Sequence, residues 1–344
     1  MSSETAAVLG TGLIGSSIGI GLRGLGWEVT GWDPDPAAMR MAIDVGALDS
    51  PAEGLSEAAG GADLVVLAGP VAAIVDTLPA LATSALVTDV GGVKGPVVEA
   101  ARSLGRFVGG HPMAGRETAG ASGASGSLFR GASWVLTNDR AAPDDLDFMR
   151  DLVKSLGAVP IVMSAAHHDA AVAASSHLPH VVAAALVAAL SDDPAAFQLA
   201  AGGFRDLTRV ALSEPGWWVD VLVANRVEVE RSLRSLASQL EGWAGLLSVA
   251  DRSKLLDALA DARRVRAEMA APVASIGVVL EDRPGEMARV GHSLSESGVD
   301  LRDLQLRHAT HGGGGVLTLS VRAAESEKLR SSLIADGFRL IDSR

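Results

Sequence analysis

The stretch Ala6-Ala7-Val8-Leu9-Gly10-Thr11-Gly12-Leu13-Ile14-Gly15 decides the fold of this chain. Its four apolar residues read as a short strand, the glycines as a turn, and the apolar run that follows, as far as Leu25, as a helix. A second strand is expected over 28–32, with Asp33 at its end. Gly10 allows a tight turn, Gly12 lets the backbone approach a pyrophosphate, and Gly15 permits close packing of the helix. The helix N-terminus at Leu13 and Ile14 offers N–H groups that have no partner in the chain. A lone G-x-G-x-x-G is weak, but the strand before it, the helix after it and the acid closing the second strand make it a dinucleotide fingerprint. Asp33 suits the ribose hydroxyls and repels a 2′-phosphate, so NAD is expected over NADP, with Arg40 nearby as a countervailing cation.

Working outward, further short apolar runs at 64–68, 86–89, 107–109 and 133–137 alternate with helix-like stretches. That pattern predicts a mostly parallel sheet covered on both faces, a Rossmann-type doubly wound α/β domain over 1–163. From 164 to 271 the strand signals stop, and segments rich in Ala, Leu and Val, broken at Pro179, Pro194 and Pro215, predict an all-helical middle domain. Over 272–344 a strand, the turn Asp282-Arg283-Pro284-Gly285, a helix, two strands, a helix and a last strand follow in turn. This βαββαβ order predicts a ferredoxin-like α+β domain, with His311-Gly312-Gly313-Gly314-Gly315 as a flexible hairpin connection.

The composition narrows the function. Of 344 residues, 48% are apolar and 20% charged, enough to bury a large core. With 41 acidic against 29 basic residues the net charge is −12, which excludes a general nucleic-acid binder, so an anionic ligand needs a local cationic pocket. There is no cysteine, hence no disulfide, thiolate metal site or cysteine nucleophile, in keeping with an expected cytoplasmic location. The uncharged run 5–22 has no basic residue before it and is punctuated by glycine, so a soluble protein without a membrane span is expected. Aromatic residues are only 3%, which leaves cores of Ala, Val and Leu and favours burial through oligomerisation.

Candidate chemistry clusters in three places: Gly109 to Glu117, Ser176 to His180, and Asp206 to Trp218. His111 falls just beyond a predicted strand, where open parallel sheets place ligands. His177 and His180 are three apart and follow His167-His168-Asp169, a spacing that raises a metal site, but no carboxylate stands at convincing ligand spacing and no metal is expected. Arg205, Arg209 and Arg226 are ordinary solvated helix charges unless one of them forks onto a substrate carboxylate.

Together these residues resemble the prephenate and arogenate dehydrogenases, the NAD-linked enzymes of tyrosine biosynthesis. The likeness rests on the loop at Gly10, Asp89-Val90-Gly91-Gly92-Val93-Lys94, the run from Gly110 to Gly120, Ser176 to His180, and Asp206 to Trp218. The tail resembles an ACT regulatory module, with Asp282-Arg283-Pro284-Gly285 and Gly298-Val299-Asp300 at the expected places.

The resemblance implies that His111 accepts the proton of the substrate's C4 hydroxyl while hydride leaves C4 for the nicotinamide, and that Arg209 clamps a carboxylate. It implies that His180 lines the same pocket, with Ser176, Ser213, Trp218, Glu117, Arg116 and Asp206 around the substrate and Gly92 near the cofactor. It further implies a homodimer, and tyrosine or phenylalanine as an effector of the tail. In two places the chain departs from the family's pattern. Gly92 stands where serine is usual, and Arg116 where a small hydroxyl residue is common. An amino-substituted prephenate analogue therefore stands beside prephenate and arogenate as a substrate. Another β-hydroxyacid-type dehydrogenase would be expected to carry a catalytic lysine in the helical domain, which is poor in lysine; a non-catalytic NAD and amino-acid sensor is the remaining alternative.

Overall fold

The structure, a computed structural model, describes residues 4–115, 120–191, 194–268, 273–308 and 314–342. The chain divides into two compact units, Met1–Leu240 and Glu241–Arg344. In the first, β1 (Thr5–Leu9), β2 (Glu28–Trp32), β3 (Ser50–Pro51), β4 (Leu64–Leu67), β5 (Leu86–Asp89) and β6 (Phe107–Val108) form one sheet in the order β3-β2-β1-β4-β5-β6, with every pairing parallel. The chain reverses direction across the sheet between β1 and β4, the switch point beyond which open parallel sheets bind ligands. β1 has no polar face. Ala6 and Val8 pack with Ile18 and Leu22 on one side, and Ala7 and Leu9 with Val65 and Val87 on the other. A strand covered on both faces reads as a continuous apolar run, which is why it was legible.

Beyond β6 the chain starts a second, three-stranded sheet. In it β7 (Gly110–Pro112) pairs antiparallel with β8 (Ser133–Thr137), which pairs parallel with β9 (Val159–Met163). His111 is thus inside a strand, opposite Val135, rather than in a loop after one. Gly-His-Pro carries no strand signal, because glycine and proline are both poor strand formers.

In the helical region a single run passes from Ala165–Val172 through a π-helical turn, Ala173–His177, into Leu178–Ser191. Pro179 does not break it, contrary to the sequence expectation. The proline is the second residue after the wide turn, near the start of regular helix, where a missing N–H costs least. Pro194 and Pro215 do open new helices, Pro194–Leu199 and Pro215–Ala224. Val221 of the latter is buried in the cluster of Leu67, Val71 and Ile74, which fixes this helix against one face of the parallel sheet. The stretch Ala165–Leu190 is long and apolar enough to cross a membrane by length and composition, yet it carries buried His168, Asp169, His177 and His180.

In the second unit, β10 (Val273–Leu280), β11 (Leu301–His308), β12 (Gly315–Arg322) and β13 (Arg339–Asp342) make an antiparallel sheet in the order β11-β12-β10-β13. Helices Glu286–Ser297 and Ser326–Ala335 supply Val290, Leu329 and Leu333 to a core with Ile276, Val278, Leu317 and Leu319. The proposed hairpin connection falls largely on 309–313, outside the described residues.

Candidate active site

The glycine turn has the shape its sequence requires. Gly10 sits at φ +101°, and a Cβ there would come within 2.5 Å of the Ala68 carbonyl oxygen. A Cβ on Gly15 would meet the Gly10 carbonyl oxygen at 2.0 Å, so the helix can close on the turn only without a side chain. A Cβ on Gly12 would meet nothing within 4 Å, and Gly12 caps the helix Leu13–Gly24 with no side-chain bond. Open space and free helix N–H groups therefore coincide, which is what a pyrophosphate needs. Asp33 Oδ2 accepts from Thr11 N at 2.7 Å and from Thr11 Oγ1 at 3.2 Å, and its Oδ1 accepts from Asp35 N at 2.9 Å, which holds the carboxylate beside the turn. These residues fit a dinucleotide.

The next loop of the sheet, 89–95, anchors the chemistry. Lys94 is 0% exposed and forms a buried ion pair with Asp89 Oδ2. Its Nζ also donates to the Gly110 carbonyl at 2.7 Å, while Gly110 N donates to Asp89 Oδ1 at 3.1 Å. The pair thus grips both sides of the residue before His111. Burial pushes the Lys94 ammonium below its usual range, and Asp89 and then Asp169 oppose that shift.

The His111 ring is held separately. Its Nδ1 lies 2.8 Å from His168 Nε2, and His168 Nδ1 lies 2.7 Å from Asp169 Oδ1. Asp169 in turn accepts from Lys94 N and Gly95 N, each at 2.7 Å. Burial, followed by the charges of His168, Lys94 and His177, holds the His111 imidazole well below its ordinary pKa, so it is neutral near pH 7. His177 Nδ1 accepts from Asn225 Nδ2 at 3.2 Å, and burial lowers its pKa to about 4 despite the opposing pull of Asp169.

His111, Gly92, Met113, Val172, Ser176, His177, Trp217, Trp218 and Val221 line one cavity of about 280 Å³. It is apolar and aromatic, with ring nitrogens and a hydroxyl on its wall. His180 is 9% exposed and packs its ring against Trp218 at a centroid distance of 3.4 Å; its Nε2 has no hydrogen-bond partner, and burial lowers its pKa.

Of the residues singled out in the sequence, the structure brings together His111, Gly92, Ser176 and Trp218, with His180 against Trp218. Asp206, Arg209 and Ser213 do not line this cavity. They are exposed on Gly202–Thr208, Arg209–Leu212 and the turn after it, where Leu207 and Leu212 are exposed as well. Arg116 and Glu117 lie outside the described residues. Sequence reasoning missed the parts played by His168, Asp169 and Asn225. The adjacent pair His168-Asp169 was visible, but its partner is 57 residues earlier and no local pattern joins them.

A dinucleotide cradle at the switch point of a parallel sheet, followed by a neutral histidine on the wall of an apolar cavity, defines a nicotinamide-dependent oxidoreductase with a built-in base. Comparison with known proteins gives the family. Residues 18–162 match the nucleotide-binding domain of prephenate dehydrogenase, and residues 164–261 its dimerization domain. The chain belongs to the prephenate dehydrogenase family. It is 32% identical to the probable prephenate dehydrogenase NovF of Streptomyces niveus over 96% of this chain and 97% of that one. Prephenate dehydrogenase from A. aeolicus, solved with hydroxyphenyl propionate and NAD+, superposes with a TM-score of 0.72 at 30% identity, covering 78% of this chain and 99% of that one. Synechocystis arogenate dehydrogenase superposes at 0.69 and 30% identity, over 77% and 100% of the two chains.

Proposed function

We propose that this protein oxidatively decarboxylates prephenate to 4-hydroxyphenylpyruvate, or arogenate to tyrosine, using NAD. The observation that carries the reading is His111, an uncharged imidazole on the wall of the cavity in a chain of this family. Its Nδ1 is engaged by His168, which leaves Nε2, the nitrogen beside Gly92, to take the proton of a ring carbinol. NAD, held by Gly10, Gly12, Gly15 and Asp33, supplies the hydride acceptor. Loss of CO2 from the neighbouring quaternary carbon makes the ring aromatic and provides the driving force, so the protein's task is to position, to desolvate and to receive one proton.

A second reading has a specific observation behind it. Gly92 leaves open the space beside Nε2 and supplies no hydroxyl, which suits a bulkier or amino-substituted group at C4.

Arg209 is the proposed clamp for the substrate carboxylate, with Asp206 and Ser213 beside it; Arg116, Glu117 and Ser176 complete the substrate set. Support comes from its place in the region that matches the family's dimerization domain. A homodimer is proposed on the same match, together with Leu199, Leu207 and Leu212, which are 82, 69 and 89% exposed and would be covered by a second copy. Three domains, 1–163, 164–271 and 272–344, and a cytoplasmic location complete the proposal. The tail is read as a ferredoxin-like ACT module. Its strand–helix–strand–strand–helix–strand order supports this, and tyrosine or phenylalanine is the proposed effector.

The test is NADH absorbance with prephenate, arogenate and an amino-substituted prephenate, each with NAD and NADP. Turnover with NAD and one of the first two supports the reading, and turnover with none of the three overturns it. A shift in rate or melting temperature on adding tyrosine or phenylalanine tests the tail, and sedimentation tests the dimer.

A further inference from the structure

We propose that His168 and Asp169 are positioning residues that set the tautomer of His111 and stabilise the charge it acquires; this deepens the reading above and rests on it. The argument starts from Asp169. As a carboxylate it can only accept, and it already receives Lys94 N and Gly95 N at 2.7 Å each. The 2.7 Å contact with His168 Nδ1 is therefore an N–H donated by the imidazole. In a neutral His168 that leaves Nε2 bare, so it accepts across the 2.8 Å contact and His111 Nδ1 must carry the hydrogen. His111 Nε2 is then the bare nitrogen. It is also the one that faces Gly92, 3.8 Å from where a Cβ on that residue would stand.

The same chain answers a difficulty in the chemistry. An imidazole pushed well below its usual pKa by burial is a weak base. When the carbinol O–H bond breaks, its proton forms a new N–H bond at His111 Nε2, and the oxygen keeps the electron pair that becomes the carbonyl. The resulting imidazolium keeps its Nδ1–H on His168, which is tied to the Asp169 carboxylate, so negative charge is already oriented toward the developing positive one. No further proton needs to move. The groups facing His111 are His168, Lys94 and His177, and of these only His168 is hydrogen-bonded to its ring.

One loop supports both ends of this arrangement. The Lys94 side chain holds Gly110, next to His111, while the Lys94 and Gly95 amides hold Asp169, so the backbone and the ring of the base share an anchor.

The experiment has two arms on the full-length protein. In the first, ring nitrogens are read by two-bond 1H–15N NMR of histidine-labelled protein at pH 8 without substrate, with His111 assigned from the spectrum of His111→Asn. The wild type is expected to show His111 Nδ1 protonated and Nε2 bare, and Asp169→Asn to move hydrogen onto Nε2. A protonated Nε2 in the wild type, or no change in the variant, overturns the proposal. In the second arm, Asp169→Asn is expected to lower kcat by about 10²-fold or more, with substrate KM and the Kd for NADH within about threefold. His168→Gln keeps an acceptor oxygen for the His111 N–H and is expected to retain roughly tenfold more kcat than His168→Phe. Wild-type kcat in His168→Phe, or a matching loss of NADH binding in Asp169→Asn, overturns it. If the wild type turns over no substrate, the functional reading has failed, and the NMR arm still decides the tautomer.

Discussion

Gly92 lies against the ring of His111: a Cβ at position 92 would stand 3.8 Å from both Cε1 and Nε2, an ordinary van der Waals contact. A serine therefore fits here without displacing anything, and its hydroxyl would come within reach of the base. Gly92→Ser is expected to fold with an unchanged melting temperature. It is expected to alter prephenate kcat/KM by about two- to tenfold, the worth of one net hydrogen bond. A hundredfold loss would show that the substrate itself needs that space.

Removing the base is a harsher test. His111→Asn is expected to lower kcat by about 10²-fold or more while NADH binds as before. Turnover within tenfold of the parent would mean that the proton goes elsewhere.

For Arg209→Ala the expected change is a raised KM for substrate with unchanged affinity for NADH, because a carboxylate clamp acts on one ligand only. Loss of NADH binding instead would place this arginine in the cofactor's site.

The Lys94–Asp89 pair is fully buried, so deleting one partner strands the other. Lys94→Met is expected to cost roughly 3–5 kcal/mol of stability in urea or thermal unfolding, and the double variant Asp89→Leu/Lys94→Met less than that, because no charge is then left alone. Equal losses in the two variants would show that the ion pair itself is not the reason.

Acid should destabilise the fold before the carboxylates titrate. His177 titrates near 4 in the folded protein against about 6.5 when unfolded, and His111 and His180 are shifted the same way. The unfolded chain therefore binds more protons between these values, so stability falls as pH drops from about 6.5 toward 4. Each such histidine contributes a slope of up to about 1.4 kcal/mol per pH unit. Carboxylates with lowered values, such as Glu286, add their loss only at lower pH. A melting temperature that does not change between pH 7 and 5 would exclude buried neutral histidines, and His177→Asn should flatten the profile in part.

The sequence disclosed most where local pattern and tertiary role coincide. The glycine turn, the strands of the parallel sheet and the order of elements in the tail each follow from runs and spacings that depend on neighbours in the chain. β7 was hidden because Gly-His-Pro pairs as a strand only when Ser133–Thr137 is there to receive it. β9 was missed too; Val159, Ile161 and Val162 are exposed and give no alternation. The support of His111 by His168 and Asp169 was out of reach for a different reason. It is a contact between two units of the sequence that share no period, and a His-Asp pair on a helix looks the same whether or not something docks against it.

The π-helical turn at Ala173–His177 also sets the phase of everything after it in its helix. Because successive residues are about 100° apart around the axis, losing one residue from that turn would rotate Pro179, His180 and the rest of the helix by the same angle relative to His168 and Asp169. His168 would still reach the base, but the face carrying His180 would swing off Trp218. A one-residue deletion here should therefore leave the upstream half of the machinery in register while uncoupling the downstream half, an outcome that no single substitution in the helix can reproduce.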